Sequence, residues 1–335
     1  MNSKSSTFIT TFENKVFENA ENCFNDLCIE LFQFQVEKNL VYKEYCRLLN
    51  CDIARVEHYT KIPFLPISAF KFHELKCDGF EAEAIFSSSG TTGKQTSRHF
   101  VNNLETYGKS FNLAFERFYG NVEGYCVLGL LPSYLERQGS SLIYMVNDFI
   151  EQSKHEQSGF FLDNQQELFD LLQRLSNNKE KVLLIGVSFA LLDFAEQYDL
   201  KSNKNLVVME TGGMKGRRKE LVREELHSIL QKGFSTEKIH SEYGMTELLS
   251  QAYSKGNGVF ETPPWMKILI REQDDPLQLT RIGQAGVMNI IDLANTGSCA
   301  FIQTDDLGKK LDENRFEVLG RQDVSDVRGC NLMVN

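Results

Sequence analysis

The chain has 335 residues, and its 36 lysines and arginines against 46 aspartates and glutamates leave a formal net charge of -10 at pH 7. An apolar fraction of 41% with 24% charged residues excludes wholesale disorder and a fibrous fold, and the length supports one large enzyme-sized unit or two domains. The acidic balance, with no stripe of lysine and arginine, excludes a general nucleic-acid binder, which needs positive charge to displace counterions from phosphates.

No run approaches the roughly eighteen apolar residues of a membrane span. The best core run, Val182 to Val187, is of strand length. The polar start Met1-Asn-Ser-Lys-Ser-Ser-Thr7 lacks a signal-peptide core, so a cytoplasmic location is expected. Eight scattered cysteines, without a Cys-x-x-Cys pair, fit a reducing compartment and argue against a structural zinc. Cys23 and Cys28, like Cys46 and Cys51, are five apart on predicted helix and face different ways.

In chain order, apolar residues recur at helical spacing from Phe8 to about Leu49, among them Phe12, Val16, Ala20, Leu27 and Leu31. The segment Lys61-Ile-Pro-Phe-Leu-Pro-Ile-Ser68 ends that pattern, because each proline forces extended backbone before it. Beyond it, strand-like runs (Tyr125 to Leu131, Val182 to Val187, Leu206 to Met209) alternate with helical stretches (Leu104 to Tyr119, Gln165 to Leu175, Gly216 to Leu230). That alternation predicts a layered α/β unit with a partly parallel sheet. After Gly256, four strand-like runs joined by short turns predict a β-rich part: Met266 to Arg271, Val287 to Asp292, Ala300 to Thr304 and Arg315 to Leu319. The expected organisation is a helical part over 1–75, an α/β part over 76–256, a β-rich part over 257–320 and a tail over 321–335.

Three segments carry chemistry. In Ala84-Ile-Phe-Ser87-Ser88-Ser89-Gly90-Thr91-Thr92-Gly93-Lys94, a predicted strand runs into hydroxyl donors, two glycines and a lysine, a set suited to surround a phosphate. It is not a Walker A loop, since only two residues separate the glycines and Gln95 follows the lysine. A polar surface turn is the plain alternative. The second segment, Val207-Val-Met-Glu-Thr211-Gly212-Gly213, is a strand opening into glycines, where the missing side chains let a flat ring approach the backbone. The third is Ser241-Glu242-Tyr243-Gly244-Met245-Thr246-Glu247, in which an aromatic ring, a hydroxyl and a carboxylate suit a nucleotide and its Mg²⁺. Its plain alternatives are a core aromatic for Tyr243 and a helix cap for Thr246 and Glu247.

In this order the three segments resemble the adenylate-forming superfamily. Its phosphate loop is similar to Ser87 through Lys94, its adenine turn to Thr211-Gly212-Gly213, and its Tyr-Gly-x-Thr-Glu signature to Tyr243 through Glu247. Thr304-Asp305-Asp306 resembles the ribose clamp and Gly320-Arg321-Gln322-Asp323 the hinge. Within the superfamily the chain resembles the LuxE-type acyl-protein synthetases, through Ile62-Pro-Phe-Leu-Pro-Ile-Ser-Ala-Phe-Lys-Phe72, Pro263-Pro-Trp265 and the ending Arg328-Gly-Cys330-Asn-Leu332.

The resemblance implies the adenylate-forming α/β fold with a β-rich subdomain, and ATP with Mg²⁺ as cofactors. A carboxylic acid, a fatty acid in this family, would be joined to AMP and then passed to a cysteine near the C-terminus, matched by Cys330. It further implies phosphate contacts from Ser87, Ser88, Ser89, Gly90, Thr91, Thr92, Gly93 and Lys94, and adenine contacts from Thr211, Gly212, Gly213, Tyr243 and Gly244. Thr246 falls at the nucleotide, Glu247 at the metal, Asp306 and Arg321 at the ribose, and Trp265 at the acyl pocket. An acyl-accepting reductase or carrier protein is the implied partner. Only twelve residues follow Asp323, and none is a lysine, so the superfamily's C-terminal lid with its catalytic lysine is expected to be absent. Charge neutralisation then falls to Lys94 and the metal, to a lysine such as Lys71, or to a partner. Two rival readings are a ligase delivering the acyl group to coenzyme A or a carrier protein, of the phenylacetate-CoA ligase type, and a nucleotide-binding protein without catalysis.

Read from the residues alone, His73, His99 and His240 are surface or structural histidines, and Lys215, Arg217, Arg218 and Lys219 form a solvated basic face. Trp265 fits either an acyl pocket or an anchor of the β-rich part. Without the resemblance, Cys330 reads as an inert thiol near a chain end.

Overall fold

Helix α1 (Ser3–Lys38) opens the fold in the computed structural model, which describes residues 3–88, 95–132, 139–162, 164–212, 221–275 and 277–322. It is kinked at Cys23, and Phe12, Val16, Ala20, Leu27 and Leu31 lie on its buried face, as the spacing predicts. Asn39 ends it and caps α2 (Leu40–Leu48) by accepting from the amides of Val41 and Tyr42 at 3.1 Å.

The proline segment after α2 is extended, as expected, but it also joins the main sheet. Its strand β1 (Leu65–Pro66) runs parallel to Ile302 and Gln303, and the one-turn helix α3 (Ala69–Phe72) follows. A hairpin of β2 (Ala84–Ser87) and β3 (Arg98–Val101) flanks the glycine loop. The alternating region follows: α4 (Leu104–Tyr119), β4 (Tyr125–Leu130), α5 (Ser141–Gln152), β5 (Gly159–Phe160), α6 (Gln165–Leu175), β6 (Lys181–Val187), α7 (Ser188–Gln197), β7 (Leu206–Thr211), α8 (Arg223–Gly233) and β8 (His240–Tyr243). The spacing gives α4 and α6 to the residue. For α8 it differs: the described helix begins at Arg223, and the Gly216 to Lys219 part of the expected helix, with its basic run, lies in a stretch (213–220) outside the described residues.

Antiparallel strands complete the sheet: β9 (Ala252–Ser254), β10 (Val259–Glu261), β11 (Met266–Arg271), β12 (Ala285–Asp292), β13 (Phe301–Lys310) and β14 (Arg315–Arg321). The order across the sheet is β11-β12-β13-β14-β10-β9-β8-β7-β6-β4-β5, parallel from β5 to β8 and antiparallel beyond. The strands of the β-rich part therefore continue the same hydrogen-bonded sheet as the α/β part. β6 is buried along nearly its whole length, because helices cover a parallel sheet on both faces, and it reads as the continuous run Val182 to Val187. The carboxyl ends of β7 and β8 fall where parallel pairing changes to antiparallel, and the signature segments lie there. Among the described residues no helix is long and apolar enough to cross a membrane.

Candidate active site

Strand β2 delivers Ser87 and Ser88 to the glycine loop, and the loop is closed at its base. The Ser88 amide donates to the Ser97 carbonyl at 3.1 Å, the Ser97 amide donates to Ser88 Oγ at 2.9 Å, and the Ser87 amide donates to the Gly139 carbonyl at 2.8 Å. Ser89, Gly90, Thr91, Thr92, Gly93 and Lys94 lie outside the described residues, as do Gly213, Arg328 and Cys330.

Three of the residues singled out from separate segments converge. The Tyr243 hydroxyl donates to Asp306 Oδ2 at 2.7 Å, and Arg321 Nε donates to Asp306 Oδ1 at 3.2 Å. The sheet sets this up: Asp306 and Arg321 are register partners on β13 and β14, and β10 and β9 bridge β14 to β8, which carries Tyr243. Thr304 supports the bend by donating to the Met288 carbonyl at 2.8 Å and accepting the Asp306 amide at 3.1 Å. The Tyr243 ring meets the edges of Phe260 and Phe316, with centroids 6.0 and 5.8 Å away, so the core-aromatic alternative describes part of its surroundings. Burial, with Asp306 beside it, raises the Tyr243 pKa well above the ordinary value, so this phenol donates and does not ionise. Arg321 remains largely exposed, and its ion pair orients Asp306 more than it stabilises the fold.

At Thr211-Gly212 the backbone turns with a positive φ of 64° at Gly212, a conformation that glycine adopts without strain. Ser188 Oγ fixes the turn by donating to the Gly212 carbonyl at 2.7 Å. Thr211 Oγ1 hydrogen-bonds the buried carboxyl of Glu242, whose pKa is pushed up to about 7 by burial against the lowering effect of that bond. Glu242 also explains Gly244, since a Cβ there would collide with Glu242 Oε1.

Thr246 and Glu247 form a turn and not a helix start, which sets aside the cap alternative. A brace that sequence reading missed holds this turn. His99 Nδ1 meets the Thr246 carbonyl at 2.8 Å, and its Nε2 lies 3.1 Å from Asn295 Oδ1. The Asn295 amide nitrogen donates to the carbonyls of Glu247 at 3.0 Å and Cys299 at 2.9 Å. Burial lowers the His99 pKa, opposed by its two hydrogen bonds, and those bonds give it the structural part that the residues imply. Asp292 fixes the far end of the turn, accepting the amides of Leu249 at 2.7 Å and Ser250 at 3.1 Å and the Ser250 hydroxyl at 2.5 Å. The one available signal was the polar run Asn295-Thr-Gly-Ser298 between two apolar strands, which alone reads as a surface loop but is wholly buried.

The Glu247 carboxyl is buried, and desolvation raises its pKa against a lowering hydrogen bond from Ser97 and the charges of Arg321 and Lys71. Trp265 is held in place: its Nε1 donates to Ser110 Oγ of α4 at 3.0 Å, and Phe17 of α1 packs edge-on at 5.1 Å. His240 meets the Tyr119 hydroxyl at 3.2 Å, burial lowers its pKa to about 4, and His73 is exposed.

The fold of this mixed sheet is shared by solved structures of adenylate-forming ligases. A 2-hydroxyisobutyryl-CoA ligase in complex with 2-HIB-AMP and CoA matches with a TM-score of 0.64 at 12% identity, over 89% of this chain and 69% of that one. ATP-bound MatB from Rhodopseudomonas palustris matches with a TM-score of 0.53 at 15% identity, over 71% of this chain; the match spans about half (48%) of MatB. The chain belongs to the LuxE acyl-protein synthetase family, whose model matches residues 140–335, more than half of its length. Two relatives are named long-chain-fatty-acid–luciferin-component ligase. The one from Aliivibrio fischeri is 25% identical over 97% of this chain and 91% of its own, and the one from Vibrio harveyi is 23% identical over 91% and 85%. The fold and the family agree with the resemblance drawn from the motifs.

Proposed function

We propose that this chain uses ATP to convert a long-chain fatty acid to its acyl-adenylate and then transfers the acyl group to the thiol of Cys330. The observation that carries this reading is the convergence of Tyr243, Asp306 and Arg321 on one point, where the end of β8 meets β13 and β14. Membership of the acyl-protein synthetase family and the names of the two relatives support the reaction and the acid.

A carboxylate resists thiolate attack because oxide would have to leave. In the first step one carboxylate oxygen forms a bond to the α-phosphorus, the bond from that phosphorus to the bridging oxygen breaks, and pyrophosphate departs with its electron pair. Tyr243 offers the purine a ring face, Thr211, Gly212, Gly213 and Gly244 line its edge, and Asp306 accepts from both ribose hydroxyls with Arg321 holding it in place. Ser87 through Lys94 surround the phosphates, and Thr246 orients the α-phosphate. Orienting the reactants and matching the developing charge supply most of the acceleration. Glu247 fits Mg²⁺ as a buried hard-oxygen donor, since that ion commonly takes only one or two carboxylates from the protein. Bound there, the ion would neutralise phosphate charge. In the second step Cys330 Sγ, as thiolate, forms a bond to the acyl carbon, and the bond to the AMP oxygen breaks. Trp265 would wall the acyl pocket from the side of α4. In this reading the adenylate sits between the α/β part (76–256) and the β-rich part (257–320), with the helical part (1–75) bracing both and the tail (321–335) bringing the thiol. An acyl-accepting reductase or carrier protein would take the acyl group onward.

The test is intact-mass analysis after incubation with ATP, Mg²⁺ and a panel of carboxylic acids. One acyl adduct, mapped to Cys330 after digestion, is the expected result; an acid-independent spectrum rejects the reading.

A further inference from the structure

A row of side chains crosses five strands on the face of the sheet that carries Tyr243. The register pairs Glu210 of β7 with Ser241 of β8, Ser241 with Ser254 of β9, Ser254 with Phe260 of β10, and Phe260 with Phe316 of β14. All five are buried, and Tyr243, two residues beyond Ser241, shares their face. Arg223, the first residue of α8, lies across this row. Its Nη1 donates to Glu210 Oε1 at 2.8 Å and to Ser241 Oγ at 3.2 Å, and its guanidinium carbon stands 4.9 Å from the centre of the Phe260 ring. A cation at a helix N-terminus opposes the helix dipole, so what Arg223 contributes lies in these tertiary contacts and not in α8 itself. Burial acts to raise the Glu210 pKa, but a hydrogen bond from His227 and the charge of Arg223 outweigh it and hold the carboxyl below its ordinary range, so Glu210 is a carboxylate.

Both ends of this arrangement reach segments of the proposed nucleotide site. From Glu210 the path runs to Gly212: Ser188 Oγ lies 3.1 Å from Glu210 Oε2 and donates to the Gly212 carbonyl at 2.7 Å. From Phe260 it runs to Tyr243: the Phe260 ring stacks on Phe316 with centroids 5.5 Å apart, and the Tyr243 ring meets both at 6.0 and 5.8 Å. We infer that Arg223 is a positioning residue for the nucleotide, holding the Gly212 turn and the Tyr243 ring at the separation a purine needs. The inference rests on the proposed reading, in which those two segments take the adenine, and adds to it a residue that acts through Glu210 and Phe260. A planar guanidinium can donate to Glu210 and Ser241 and still meet an aromatic ring; a lysine ammonium keeps the charge without that combined geometry.

The test is acid-dependent exchange of labelled pyrophosphate by the full chain, comparing wild type with Arg223→Lys, Phe260→Leu and the double variant. Arg223→Lys keeps a charge opposite Glu210 and is expected to melt as wild type does, with KM for ATP raised about fivefold or more and KM for the acid unchanged. Arg223→Met combined with Glu210→Gln removes both charges together and is expected to give the same selective rise. The Arg223→Lys, Phe260→Leu double variant is expected to raise KM for ATP by less than the product of the two single effects, because the contact between the two residues is lost in each. An unchanged KM for ATP in Arg223→Lys overturns the inference, as do two single effects that simply multiply. A rise in both KM values together with a lower melting temperature, the mark of a merely structural role, overturns it too. These outcomes presuppose a wild type that exchanges, and so reject this inference alone; a wild type whose exchange ignores the acid, or is absent, rejects the parent reading and this one with it.

Discussion

Glu242 makes its protonation visible in stability. The native state holds its proton to about pH 7, whereas the unfolded chain releases it near 4.5. Between these values the native state binds more protons, so this residue's contribution is full below about pH 4.5 and is lost as pH rises through 7. Glu242→Gln is expected to match wild type at pH 5 and to exceed it at pH 8 by on the order of 3 kcal/mol, read from denaturant unfolding at both pH values. Tyr243→Phe removes the donor to a buried Asp306 oxygen, and a loss of about 1–2 kcal/mol in unfolding free energy is expected, with a raised KM for ATP in pyrophosphate exchange. Tyr243 was legible as an aromatic ring beside a hydroxyl and a carboxylate, and Asp306 through the likeness of Thr304-Asp305-Asp306 to the ribose clamp. The His99 to Asn295 brace was not, because its partners lie 196 residues apart and only the sheet's folded order brings them together.

Among the elements, strand β13 carries the most consequences. It pairs with β12, β14 and β1, and it bulges between Leu307 and Gly308, just past Asp306. A Cβ at Gly308 would stand 2.6 Å from Met288 Sδ and 2.9 Å from the Glu317 carbonyl. Backbone cannot yield as a flexible side chain does, so Gly308→Ala is expected to cost about 1–3 kcal/mol, measured by chemical denaturation, and to weaken ATP binding through Asp306. Helical periodicity gave α4 and α6 to the residue because each buries one apolar stripe. It gave β13 only in part, since the buried positions beyond Ile302 are Thr304, Asp306 and Gly308, which carry no apolar signal. The parallel pairing of Leu65 and Pro66 with β13 was likewise hidden: two prolines announce extended backbone without naming a neighbour.

At the scale of the whole molecule, one continuous sheet joins the expected α/β and β-rich parts, and the adenylate site proposed here sits where its strand direction changes. The alternation of strand and helix predicted the layered α/β class, and the LuxE family match agrees with the resemblance drawn from the motifs. The proposed acyl transfer to Cys330 would separate the two chemical steps. Cys330→Ser is expected to abolish protein-bound acyl label while acyl-AMP still forms, with radiolabelled acid as the readout. The most direct measurement of the central claim is the exchange of labelled pyrophosphate into ATP by the purified full chain with Mg²⁺ and a long-chain acid. Incorporation that depends on the acid and falls when Asp306 is replaced by Ala is the predicted result; incorporation that ignores the acid, or none while ATP still binds, would contradict it.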